Sequence, residues 1–358
     1  MKKVLIGFLI FLVVLIASAI AIPFVFKDKI IAKAKEEISK QVNAKVDFKD
    51  IDLSLLKNIK NFPNIALGID DLTIIGIAPF EGDTLLNIGS TKASLDLMSV
   101  INGEQYKIEA VELSDATLNA IVNKDGIANW NIMKPSTDTS ASKPFALALN
   151  KLTLDNINLF YDDLKGGTSL KVEHLNHKGK GDFTSDVLDY TSETDIEKLS
   201  IAQGIVGYLK DAKLIFDSKL NIDQKKHKYA FKDNKLTLND LGLLFNGFIQ
   251  IPDSTKTEMD VSFKADKTTF KSLLSLIPAI YSKDFDDIKS SGNLELNGSA
   301  KGTLQGNSYP QFAINLKVDN GKFQYPKLPT AVTDIFIDAH INKDRKSTRL
   351  NSSHTIQS

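Results

Sequence analysis

Cysteine is absent from this chain of 358 residues, which excludes disulfides, thiol nucleophiles and thiolate metal sites and leaves the redox compartment open. Arginine is confined to Arg345 and Arg349, so the body of the chain carries its basic charge on lysine alone. Net charge is also missing, because 44 basic residues balance 44 acidic ones and the two signs are interspersed. No field attracts nucleic acid, and the single tryptophan, Trp130, makes no base-stacking platform, so no nucleic-acid partner is expected. Phosphate loops are lacking too: Gly179-Lys-Gly181 and Gly298-Ser-Ala-Lys-Gly302 have neither the Gly-Lys-Ser/Thr ending nor a following helix. A Gly-x-Ser-x-Gly nucleophile elbow is likewise absent.

What is present begins with an uncharged run from Val4 to Phe26. As a helix it rises roughly 35 Å, enough to cross a hydrocarbon layer of about 30 Å with some tilt. Residues 1–26 therefore read as a transmembrane anchor. A cleaved signal peptide is the rival, since Ala17-Ser18-Ala19 and Ala19-Ile20-Ala21 offer small-residue cleavage sites. The run outlasts a signal-peptide core and continues through Pro23, Phe24, Val25 and Phe26, which favours an uncleaved anchor. Lys27, Lys29, Lys33 and Lys35 outnumber Lys2 and Lys3, yet a long following domain translocates largely regardless of charge. The body is expected outside the cytoplasmic membrane. Residues 27–45 read as an amphipathic linker helix, with Ile30, Ile31, Ala34, Ile38 and Val42 on one stripe.

The rest alternates apolar and polar residues with period two. Ala212–Ile222 is the clearest case, and the pattern recurs at Phe145–Tyr161, Leu236–Ile251, Met259–Ala265, Leu294–Ala300, Phe312–Val318 and Val332–Ile341. Asp182–Ile196 is read as a further strand. Residues 46–135 carry shorter strands broken by Pro63, Gly68, Gly76, Pro79, Gly82, Gly89 and Gly103, and the Ser/Thr-rich stretch 136–144 reads as a loop before residues 145–343. The segment Lys151-Leu-Thr-Leu154 returns as Lys235-Leu-Thr-Leu238, each followed by an Asn/Asp pair, a weak internal repeat. Thr268–Tyr281 has helical spacing at Phe270, Leu273, Leu274 and Ile277. Residues 344–358 break the strand pattern, hold both arginines and resemble translated adapter sequence. They are expected to be a non-native or disordered tail, with a longer native chain.

Val111-Glu-Leu-Ser-Asp-Ala-Thr-Leu118 followed by Asp125-Gly-Ile-Ala-Asn-Trp130 resembles the N-terminal signature of the AsmA family, with Gly126, Asn129 and Trp130 as its structural motif. Phe62-Pro-Asn-Ile-Ala-Leu67 and Asn320-Gly-Lys-Phe-Gln-Tyr-Pro-Lys-Leu-Pro329 are similar to AsmA-like proteins of Bacteroidetes type. The resemblance implies an inner-membrane-anchored periplasmic protein affecting outer-membrane biogenesis. It also implies kinship with TamB and other bridge-like proteins whose β-groove conducts phospholipids. The expected fold is accordingly mainly β, with the N-terminal helix followed by an elongated, curved, mostly antiparallel sheet and a few short helices.

Chemistry is thinly supplied. His174-Leu-Asn-His177 beside Glu173 reads as the end of a strand and lacks a third ligand, so no metal is expected. His227 and His340 read as solvent-facing. Asp162-Asp163 and Asp286-Asp287 are adjacent pairs that a strand would point to opposite faces, which suits turns better than acid/base work. Trp130 reads as a corner-packing residue. No enzyme and no cofactor are expected.

The apolar face is the candidate site. Leu147, Leu149, Leu152, Leu154, Leu214, Phe216, Leu220 and Ile222 would line its first half, and Leu236, Leu238, Val261, Phe263, Ile314 and Leu316 its second. Left uncovered, it would exceed the few hundred Å² that soluble proteins tolerate, and the acyl chains of a phospholipid are the expected guest. The alternative packs two sheets face to face in ordinary sandwiches, leaving an envelope scaffold or assembly factor. Periodicity alone does not separate the two.

Overall fold

Alternation with period two requires strands, and the computed structural model builds them with antiparallel ladders, from Asn64 onward between chain neighbours. It describes residues 27–54, 64–96, 106–134, 145–253, 255–266, 268–277, 287–306, 308–325, 329–343 and 351–357. The expected membrane span, the loop 136–144, Pro278–Tyr281 and Asp286 lie outside these residues. Among the described residues no helix is long and apolar enough to cross a membrane. The chain divides into two compact units, Met1–Ala148 with Asp163–Lys165, and Leu149–Asp162 with Gly166–Ser358.

The first unit contains helix α1 (Lys27–Gln41) and strands β1 (Ala44–Asp47), β2 (Asp50–Ser54), β3 (Asn64–Gly76), β4 (Thr84–Asp96) and β5 (Tyr106–Val122). Strand β3 is long enough to pair with β1 at one end, Asp47 opposite Thr73, and with β2 at the other, Asp50 opposite Asp70. Phe48, at the corner between β1 and β2, is buried, with the Lys35 ammonium 4.9 Å above its ring. Lys35 also pairs with Asp47, which holds that carboxyl below the usual carboxylate range. The ladders break on one line: Asp71 (φ 53°) in β3, Gly89 in β4 and Asp115 (φ 55°) in β5. Glycine keeps this crossing uncrowded, since a Cβ on Gly89 would stand 3.1 Å from that of Asp115. The left-handed residue resets the alternation, so Val111 and Leu113 precede Asp115 while Ala116 and Leu118 follow it.

The second unit takes in most of β6 (Phe145–Asp163), then β7 (Thr168–Lys180), β8 (Val187–Gln203), β9 (Val206–Asp223), β10 (Lys228–Leu238) and β11 (Leu241–Asp253). It continues with β12 (Lys256–Ala265), helix α2 (Phe270–Leu274), β13 (Lys289–Gln305), β14 (Gln311–Gln324), β15 (Val332–Lys343) and β16 (Asn351–Gln357). Each strand lies beside its chain neighbour. Among the described residues of this unit the strand contacts run between such ladder neighbours, and no second sheet packs on the first. A sandwich, the competing arrangement of the same alternation, is not what these residues form.

Several boundaries correct the reading from sequence. The expected strand over Asp182–Ile196 begins only at Val187, because Asp182 Oδ1 accepts the amide of Thr184 at 3.0 Å and holds a turn. His174-Leu-Asn-His177 is not a strand end but the interior of β7. The run Leu236–Ile251 is a hairpin: its Asn239-Asp240 pair turns the chain, whereas the matching Asp155-Asn156 pair stays inside β6, with Asn156 at φ 55°. The expected four-turn helix shortens to α2. Beyond Leu274 the amides of Leu276 and Ile277 bond three residues back at 3.1 Å, tightening the chain, and Ser275 Oγ donates to the Ser272 carbonyl at 2.7 Å. Of the stretch expected to be foreign or disordered, Asn351–Gln357 forms β16 and pairs with β15, so disorder does not describe those seven residues.

Enclosed packing in the second unit sits under α2. Phe270 and Leu274 close over Leu241, Ile288, Leu294 and Val318, all buried, with Val318 at 0% exposure. A smaller cluster gathers Val172, Ile196 and Leu199.

Candidate functional site

In antiparallel ladders, directly opposed residues share a face, so register decides which apolar side chains meet. One row crosses five strands as Leu175, Ile196, Leu214, Leu238 and Leu241. The next runs Thr194, Phe216, Leu236, Leu243 and Ala265. A third joins Leu220, Phe231, Gly247, Val261, Ala300 and Phe312. A fourth joins Phe245, Phe263, Gly298, Ile314 and Ile341. Leu316 sits between Leu296 and Ala339 on the same side. The Phe245 and Phe263 rings lie 5.9 Å apart, and the Phe263 ring overlies Gly298, where a Cβ would come within 2.5 Å of it.

The degree of cover is the informative quantity. Leu152, Leu154, Leu214, Phe216, Leu220, Leu236, Leu238, Val261, Phe263, Ile314 and Leu316 are half-buried, and Ile222 alone of the candidates with described side chains is buried. Leu147 and Leu149 fall in β6, their side chains outside the described residues. Leu316 packs against the core beneath α2, and Leu214 and Leu238 against the Val172, Ile196 and Leu199 cluster, yet each stays only partly buried, as do Leu220, Val261, Phe263 and Ile314, in contrast to Leu241 and Val318.

The alternate positions form a wet face with Lys213, Asp217, Lys219 and Asn221 exposed, and with Ile215 stranded among them at 37% exposure. Two concavities lie chiefly along these alternate positions. One of about 400 Å³ is lined by residues such as Asn246, Ser262, Lys264, Asn297 and Asn315, and one of about 1260 Å³ by residues such as Lys178, Glu193, Asp217, Lys219 and Lys235.

Sequence reasoning missed a polar band crossing that apolar face. Ser192 and Ser218 face each other across β8 and β9 and share a hydrogen bond of 2.7 Å, both buried. Beside them His177 meets Thr194 Oγ1 and the Tyr190 hydroxyl, each at 2.8 Å. Gly179 leaves the room Tyr190 needs, since a Cβ there would lie 1.9 Å from the hydroxyl. Burial holds the His177 pKa below its ordinary value and raises that of Tyr190. The band appears in sequence only as serines and a histidine at apolar positions of the alternation, a signal that turns and edges also give.

The other titratable residues are dispersed. His174 is exposed and engages Asn156 Oδ1 at 2.8 Å; His227 is exposed in a turn; His340 contacts Asn315 at 2.7 Å and Asp338 at 2.8 Å. Among the described residues no three His, Cys, Asp or Glu side chains gather as a metal site.

In the first unit the Gly-x-x-Asn-Trp stretch is a turn closing the end of β5. Asn123 Oδ1 accepts the amides of Asp125 at 3.0 Å and Ile127 at 2.9 Å, and Gly126 takes φ 87°. Asn129, 4% exposed, then acts as a substitute strand: its Oδ1 accepts the Ile121 amide at 2.9 Å and its Nδ2 donates to the Asn119 carbonyl at 2.8 Å. Trp130 corrects the expectation of a packed corner, because it is 42% exposed.

The AsmA family model matches residues 1–243. Neither a curated protein nor a solved structure matches the chain.

Proposed function

The chain belongs to the AsmA family, and from that premise we propose that it binds phospholipid acyl chains on the apolar face of its second unit and passes them along that face within the cell envelope. AsmA-family proteins are envelope-associated. The observation that carries the reading is the half-burial of Leu214, Phe216, Leu220, Val261, Phe263 and Ile314, apolar side chains in register across neighbouring strands with no second sheet over them. Each methylene withdrawn from water onto such a surface contributes about 0.8 kcal/mol, so a two-tailed lipid is held without any directed polar contact. The head group stays in water. Movement between equivalent rows exchanges one set of apolar contacts for another and needs no catalytic step and no cofactor.

Residues 4–26 are the proposed inner-membrane anchor, with the body on the periplasmic side. The test is extraction of lipid from the purified full chain after exchange into a detergent without acyl chains. Phospholipid is expected to accompany the protein. A lipid-free chain that takes up none from mixed micelles would favour a scaffold acting on outer-membrane assembly.

A further inference from the structure

We propose that the Gly-x-x-Asn-Trp turn is a second membrane contact, a shallow interfacial foot that sets the first unit against the bilayer; this rests on reading residues 4–26 as the anchor. Ile127, Trp130 and Met133 are 47%, 42% and 68% exposed within seven residues of chain, and Leu164 is 55% exposed beside them, its amide bonded to the Val122 carbonyl at 2.9 Å. Three large apolar side chains on one short turn, with a fourth on the turn joined to it, are not the scattered exposure of an ordinary surface. The backbone beneath them is firmly built, through Asn123 and Asn129, so the side chains are presented and not merely unpacked.

Two further observations argue for a bilayer as occupant. The first is chain geometry. The uncharged run Val4–Phe26 ends one residue before α1, and the far end of α1 is fastened to this same turn. Asn43 donates to the Ile132 carbonyl at 2.6 Å, Lys134 donates from its amide to Gln41 at 2.9 Å and from Nζ to Ser39 at 2.8 Å, and Val42 bridges Met133. A 15-residue helix is about 22 Å long, so an upright α1 would hold the turn clear of the head groups, whereas an α1 inclined along the interface brings it down. The second is composition. A tryptophan among aliphatic residues and exposed lysines, Lys124, Lys134 and Lys165, is the pairing favoured at the boundary between acyl chains and anionic head groups.

Trp130 is the only tryptophan of the chain, so its fluorescence reports this turn alone. The experiment reconstitutes the full chain into phosphatidylethanolamine and phosphatidylglycerol vesicles, with and without bromine on the acyl chains. Emission shifted to the blue of the urea-unfolded chain and quenched at least about twofold by the brominated lipid is expected. Ile127→Asp with Met133→Asp should remove most of that quenching, and Phe216→Asp, on the second unit, should leave it intact. Vesicle flotation with unquenched, water-like emission would overturn the foot and leave the anchor standing. Failure to float would overturn the anchor and the foot with it. Quenching lost in Phe216→Asp would assign the signal to lipid on the second unit, and protection of Trp130 that grows with protein concentration in unbrominated vesicles would assign the turn to a second copy; both overturn the proposal.

Discussion

Phe216→Asp and Leu214→Asp are each expected to lower the phospholipid recovered with the purified chain at least about tenfold, while Lys213→Asp leaves it unchanged. The three positions lie within four residues of β9 and fall on its two faces. Leu214 and Phe216 lie in apolar rows with Leu238 and Leu236, so an aspartate there places a carboxylate against the acyl chains. Desolvating it costs several kcal/mol, and about 1.4 kcal/mol already makes a tenfold change. Lys213 stands on the alternate face, where its pairing with Asp195 at 3.6 Å is between exposed groups and contributes little. Far-UV circular dichroism and urea unfolding of each variant separate loss of the guest from loss of the fold, and Phe216→Leu should retain lipid.

The second large effect concerns where the sheet is sealed and where it is not. Leu241→Ala is expected to destabilise the second unit by about 3 kcal/mol in chemical denaturation, because Leu241 is enclosed by α2 and its removal leaves a cavity. Leu220→Ala, the same change on the half-buried face, should cost about 1 kcal/mol, since water or lipid already reaches one side of the leucine. Equal losses at the two positions would mean that the face around Leu220 is packed as a core.

Much of this was legible in the sequence because period-two alternation reports a face directly. Ala212–Ile222 and Phe312–Val318 needed no other information, and every candidate with a described side chain on β9–β14 falls in the apolar rows or beside them. Legibility failed where a single residue took a left-handed conformation. Asp115, Asn156 and His174 reset the alternation without ending the strand, while Asn239, also at positive φ, ends one. The dipeptides look alike, and only the ladder partners distinguish a bulge from a turn. α2 was overestimated because helical spacing persists through Ile277 although the backbone tightens after Leu274. The polar band of His177, Ser192 and Ser218 depends on partners 13 to 26 residues away, which no local pattern records. Trp130 was misplaced because a large aromatic is usually buried, and exposure is set here by the Asn129 bonds that occupy the inner side of the turn.

The most direct measurement is photocrosslinking in intact cells, with a photoreactive residue placed singly at positions 213 to 220 of β9. Phospholipid adducts are predicted at 214, 216 and 220 and not at 213, 215, 217 or 219. Position 215 decides the matter, since it lies between two expected adduct sites yet stands on the wet side. Adducts at 215 equal to those at 214 and 216, or no adduct at any position, would contradict acyl-chain binding on one open side of this sheet.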